Sequence, residues 1–114
     1  MSLQAQIYRG ISNFNLGLVP EATLALETVR QLSGDPQVLL YLGLCYYSQQ
    51  DWRQASEVLE ESTRKDPSLV DGFLYLGYSF VNQGNSMEAA LNFTKALNLD
   101  PHNEAANQGL MSLG

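Results

Sequence analysis

The chain has 114 residues, 45% hydrophobic and 16% charged, with a formal net charge of −6; this length builds one domain, and the composition is not that of a disordered chain. The six basic residues, Arg9, Arg30, Arg53, Arg64, Lys65 and Lys95, are scattered, which argues against the clustered cationic surface that nucleic acid requires. No apolar run approaches the ~20 residues of a bilayer-crossing helix and no basic-then-apolar leader opens the chain, so membrane insertion is not expected and a soluble, cytoplasmic setting is favoured.

Ile7, Ile11 and Phe14 recur at helical spacing and predict a first amphipathic helix. Gly17 stands where a left-handed C-cap wants glycine, and Pro20 falls in the first turn of a second helix, where proline is tolerated. Leu39, Leu42 and Tyr46 mark a third helix. Asp51, before WRQA, is placed to cap a fourth, which ends at Asp66-Pro67 because proline disfavours helix at the residue before it. Phe73, Leu76 and Phe80 mark a fifth. Gly84 then supplies a C-cap, and Asn85 with Glu88 three residues on has the order of a capping box opening a sixth helix, which ends at Asp100-Pro101. Asn103 caps a last helix through HNEAANQGLMSLG. No window alternates with period two, so no strand is predicted.

The segment from Leu39 to Pro67 and the segment from Phe73 to Pro101 say nearly the same thing at a constant offset of 34 residues: Leu42 and Leu76, Gly43 and Gly77, Ala55 and Ala89, Leu59 and Phe93. Fixed self-similarity in this range marks a repeat architecture. Gly10, Ala22 and Leu26 form a weaker front copy, one residue shorter. The organisation is a single domain over 1–114, with a degenerate repeat at 3–34, repeats at 36–69 and 70–103, and a capping helix at 104–114. Glycine inside a helix costs about 1 kcal/mol relative to alanine, so its recurrence implies a gain from packing. Gly43 with Ala55, and Gly77 with Ala89, are expected to let two antiparallel backbones approach closely, with Leu59 or Phe93 filling the space towards the next unit.

At these residues the chain resembles the tetratricopeptide repeat family. The later repeat fits through Phe73, Leu76, Gly77, Phe80, Gly84, Ala89, Phe93, Ala96 and Pro101, and the middle one through Leu39, Leu42, Gly43, Tyr46, Trp52, Ala55, Leu59, Ser62 and Pro67. The front repeat departs, with Arg9 and Asn13 where the family prefers apolar residues and Gly34 where it prefers proline. The resemblance implies an all-α, right-handed superhelix of antiparallel helix pairs, an α-solenoid whose first helices line a concave groove. It implies that the groove is faced by Ile7, Ile11 and Phe14, by Leu40, Leu44 and Tyr47, and by Asp71, Leu74, Tyr78, Val81 and Asn82. Some family members carry lysines, asparagines and an arginine there and grip the acidic carboxyl end of a chaperone. Here Ile7 and Asp71 stand where that clamp needs lysine, Ile11 and Tyr41 where it needs asparagine, and Tyr75 where it needs arginine. The expected partner is therefore a peptide with aliphatic or aromatic anchors, Asp71 holding a basic residue at the rim. The alternative is a structural or self-association segment of a larger protein or a homo-oligomer, suggested by the apolar GLMSLG end.

No catalytic constellation is legible. His102 is the only histidine and lies beside Pro101 in a predicted loop, and Cys45 is the only cysteine, on an apolar helix face. One of each makes no zinc site of the usual kind. Glu57, Glu60 and Glu61 are expected to form a solvated face, with Glu60 and Glu61 paired to Arg64. An enzyme is not predicted, and neither a cofactor nor a metal is implied.

Overall fold

Three times the chain runs a helix, reverses in three residues and runs a second helix against the first. The computed structural model describes residues 2–114. Its helices are α1 (Leu3–Asn15), α2 (Val19–Arg30), α3 (Pro36–Ser48), α4 (Trp52–Lys65), α5 (Val70–Asn82), α6 (Ser86–Leu99) and α7 (Glu104–Ser112). There is no strand among the described residues. Each helix packs most on its chain neighbours, and α1, α3, α5 and α7 also touch in succession, which gives an elongated body of 48 × 24 × 22 Å. This is an all-α solenoid.

The reversals share one device. After α5, Gly84 takes φ +76°, its N–H donates to the Val81 carbonyl, and the next N–H, of Asn85, donates to that of Phe80. That is a Schellman turn, which satisfies carbonyls left open at the helix end. Gly17 and Leu18 repeat it after α1, as do Gln50 and Asp51 after α3. Gln50 holds φ 63° without being glycine, a conformation that costs an ordinary residue about 1–2 kcal/mol. The residue that closes each turn is also the next N-cap. Asp51 accepts from Gln54 N–H at 3.3 Å and Asn85 from Glu88 N–H at 3.3 Å. The expected box at Asn85 is half formed, because the Asn85 N–H already serves the Phe80 carbonyl and is not free for Glu88.

At the repeated glycines the nearest neighbour is not the alanine but the large side chain four residues after it. A Cβ on Gly10 would lie 2.6 Å from Leu26 Cδ2, one on Gly43 2.5 Å from Leu59 Cδ2, and one on Gly77 2.5 Å from Phe93 Cδ1. Each glycine is thus the seat of the large side chain four residues beyond the alanine, within its own helix pair. Phe93 also meets the next helix, where a Cβ on Gly109 would lie 2.6 Å from its ring. Two buried clusters result, one around Leu26, Leu39, Leu42 and Val58, the other around Leu59, Leu76, Phe93 and Ala106.

Arg9 and Asn13 occupy the positions that Leu42 and Tyr46 hold one repeat later; Arg9 is exposed and Asn13 half-buried, and both line a cleft between α1 and α2 with Gln6, Glu21, Leu24, Ala25 and Thr28. The Glu60 and Glu61 pairing with Arg64 is not formed. Glu61 instead reaches Arg30 on α2 at 3.9 Å, Arg30 also meets Glu27 at 3.5 Å, and Glu27 accepts a hydrogen bond from the Tyr46 hydroxyl. Across the solenoid, an Arg already fixed by one carboxylate holds a second at little extra entropy. At the chain end, Leu110 and Leu113 turn onto the second cluster and Met111 faces out, so most of the apolar end is used internally.

Candidate functional site: an aromatic groove

The first helices of the three pairs lie side by side, so their C-terminal halves bring several rings together. Tyr47 is the hub: its ring centroid is 5.1 Å from that of Trp52, 5.1 Å from Tyr75 and 6.2 Å from Tyr78. Tyr75 and Tyr78 meet edge-on at 5.5 Å, Tyr78 rests on Phe93 at 5.5 Å, and Phe14 meets Tyr41 at 5.7 Å. Near-perpendicular contacts at these distances are the favoured aromatic geometry. A cleft of about 420 Å³ opens among Phe14, Leu44, Tyr47, Ser48, Gln50, Trp52 and Tyr75. No charged side chain lines it.

The expected lining residues divide into three groups. Leu40 and Leu74 are 8% and 7% exposed and belong to the second core cluster, so they are closed off rather than presented. Contact between successive first helices buries them. Ile7, Ile11, Phe14, Leu44, Tyr47 and Tyr78 are half-buried, with Ile7 and Phe14 against the first cluster and Leu44 and Tyr78 against the second. Asp71, Val81 and Asn82 are exposed, and Asn82 is tied down by donating from Nδ2 to the Tyr78 carbonyl at 2.9 Å. Burial raises the Tyr47 and Tyr78 phenols above their ordinary range, with neighbouring Tyr75 adding to it, so both hydroxyls stay neutral donors near pH 7.

Trp52, Tyr75 and Gln50 line the cleft, although from sequence Trp52 had only a packing position, Tyr75 only a clamp position and Gln50 no role. Trp52 gets there because the three-residue reversal sets the start of α4 beside the end of α3. Tyr75 stands where the charged clamp would place an arginine, which was itself the sign that it faces the groove.

A model of the tetratricopeptide repeat matches residues 37–68. The heat shock protein STI1 of Saccharomyces cerevisiae is 32% identical over 114 residues, covering 96% of this chain and 19% of the yeast protein. Residues 37–68 are a tetratricopeptide repeat. The chain spans about a fifth of the length of that curated relative. Among solved structures, MamA superposes with a TM-score of 0.95 at 17% identity, over 98% of this chain and 66% of MamA. The second repeat domain of human RPAP3, in complex with the HSP70 peptide SGPTIEEVD, superposes with a TM-score of 0.90 at 20% identity, over 98% of both chains. These likenesses fix the tetratricopeptide solenoid as the fold. Cys45 is fully buried and burial pushes its thiol up, which keeps it protonated and unreactive. His102 is exposed in the turn before α7. Among the described residues no three His, Cys, Asp or Glu side chains come together as a metal set, and no helix is long and apolar enough to cross a membrane.

Proposed function

We propose that this domain is a non-catalytic protein-interaction module that holds a peptide in its concave groove through apolar and aromatic anchors. The observation that carries the reading is the uncharged aromatic cleft centred on Tyr47, where rings offer large contact area at low entropic cost. Ile7, Ile11, Phe14, Leu44, Tyr47, Tyr78 and Val81 form the contact strip, with Asn82 and Asp71 at its two ends. The peptide complexes of related domains support a peptide as occupant. The acidic tail in the RPAP3 complex is the wrong chemistry for this groove, because Ile7, Ile11, Tyr41, Asp71 and Tyr75 supply neither cation nor amide where a clamp needs them. No observation favours self-association over this reading.

The test is selection of peptides from a displayed random library on the wild-type chain, followed by calorimetry with the enriched peptides and with SGPTIEEVD. Enriched peptides should carry aliphatic or aromatic residues at recurring positions and lose at least about tenfold in affinity to the Tyr47→Ser/Tyr78→Ser variant, roughly 1.4 kcal/mol. That variant should retain its helicity by circular dichroism. Binding of SGPTIEEVD as tight as that of the enriched peptides, or affinities untouched by the double substitution, would overturn the proposal.

A further inference from the structure

The cleft at Tyr47 has a second property besides being apolar. Its walls are ring faces and edges from Phe14, Tyr47, Trp52 and Tyr75, with Tyr47 set at 62° to Trp52 and 79° to Tyr75. Cations are attracted to the faces of such rings when they come within about 6 Å of the centroid. The floor is the end of a helix: Tyr47 and Ser48 are the last two residues of α3, and Phe14 is the last but one of α1. The Cys45, Tyr46 and Tyr47 carbonyls there already accept from Gln49, Gln50 and Asp51, but the helix dipole still leaves partial negative charge at this end, which favours cations. No lysine or arginine lines the cleft. Arg53, next to Trp52, points away into solvent and pairs with Glu57 at 3.5 Å. The chain as a whole carries −6, which adds a long-range pull on positive ligands. The same attraction operates within the molecule, where Lys95 Nζ lies 5.7 Å over the Phe73 ring.

We infer that this cleft is a cation subsite, which takes a lysine or arginine side chain of the bound peptide. The inference rests on the groove proposed above and specifies one of its anchors. An aliphatic stem passes Leu44 and Phe14, and the charged head sits against Tyr47, Trp52 and Tyr75 near the α3 carbonyl end. Ser48 and Gln50 at the rim offer side-chain oxygens to its N–H groups. A carboxylate in the same place meets aromatic rings and the negative end of the α3 dipole, neither of which favours it. The polarity of recognition is therefore opposite to that of a lysine-lined clamp.

Trp52 is the only tryptophan in the chain, so its fluorescence reads this cleft directly. Four capped tripeptides, acetyl-Gly-Xaa-Gly-amide with Xaa lysine, arginine, norleucine or glutamate, are titrated into the whole chain at low salt. The lysine and arginine peptides should shift Trp52 emission with dissociation constants about tenfold below that of norleucine, and glutamate should not bind. In Tyr75→Leu the preference of lysine over norleucine should fall to within about twofold. Norleucine binding as tightly as lysine would overturn the cation subsite and leave the apolar groove standing. Preference for glutamate, or no response of Trp52 to lysine or arginine at the solubility limit, would overturn it as well. Failure of the groove itself is read separately, in the library peptides and the Tyr47→Ser/Tyr78→Ser variant.

Discussion

Replacing Gly77 by alanine sets two effects of opposite sign against each other. On propensity alone, a helix-interior glycine changed to alanine gains about 1 kcal/mol. The new methyl would, however, stand 2.5 Å from Phe93 Cδ1 and 2.8 Å from Cζ, closer than carbon atoms come. The ring has little retreat, because it is fully buried and its tip, at Cε1 and Cζ, also lies against Gly109. Overpacking of this kind costs about 1–3 kcal/mol, and a clamped ring belongs at the upper end. The net expectation is a loss of about 1–2 kcal/mol, or a fall in melting temperature of roughly 4–8 °C for a domain of this size. Phe93→Leu should open the seat. In the double-mutant cycle, Gly77→Ala and Phe93→Leu together should destabilise by at least about 1 kcal/mol less than the sum of the singles. Thermal melts followed by circular dichroism supply all four corners. A Gly77→Ala chain that melts at or above the parent temperature would show that the ring does not rest on this glycine.

Gln50→Gly should relieve the left-handed strain and stabilise the chain by about 1 kcal/mol, read as a higher urea midpoint at unchanged slope. The buried Ser79 hydroxyl lacks a hydrogen-bond partner, so Ser79→Ala should raise the same midpoint by about 1 kcal/mol, whereas a loss would mean the hydroxyl is satisfied. Tyr46 is half-buried and donates to Glu27, and both effects push its phenol well above the ordinary value near 10. The folded state then holds that proton more tightly than the unfolded one, so the contribution is full below about pH 10 and is lost as pH rises through the folded value. Melts between neutral and strongly alkaline pH should show that decline, and Tyr46→Phe should flatten part of it while lowering stability at pH 7 by about 1 kcal/mol.

Many helix boundaries were legible because they are written in local chemistry: Gly17 and Gly84 at left-handed caps, Asp51, Asn85 and Asn103 at N-caps, and prolines after Asp66 and Asp100; the end of α2 and the start of α5, where Leu69 makes no side-chain cap, carry no such signal. What lay between helices was less so. The spacing of Gly43, Ala55 and Leu59 identifies equivalent residues in successive repeats, but it does not say which of them touch. Directions of side chains decide that, and Leu59 leans back over Gly43 rather than forward alone. Leu40 and Leu74 read as groove residues because they lie opposite the main packing stripe of α3 and α5. The curvature of the stack brings the first helices close enough to cover them. Glu61 and Arg64 stand at a favourable helical spacing, yet Arg30, 31 residues earlier in the chain, wins Glu61 because its long side chain, already held by Glu27, reaches across from α2.

One position ties the groove's chemistry to the stacking of the solenoid. Tyr8, Tyr41 and Tyr75 are equivalent in the three repeats. Tyr41 lies edge-on to Phe14 of the preceding first helix, and Tyr75 lies edge-on to Tyr47 of its own predecessor. Tyr8, with no described helix ahead of it, is 69% exposed. The tyrosine is therefore a contact between consecutive first helices before it is anything else, and its ring reaches the groove because those helices line it. Arginine or asparagine at these positions would offer a charge or an amide to a ligand and withdraw the edge-to-face contact from the stack. A charged clamp and an aromatic stack compete for the same side-chain position, and at Tyr41 and Tyr75 this chain has the stack. The uncharged, ring-walled groove follows from how its repeats adhere to one another.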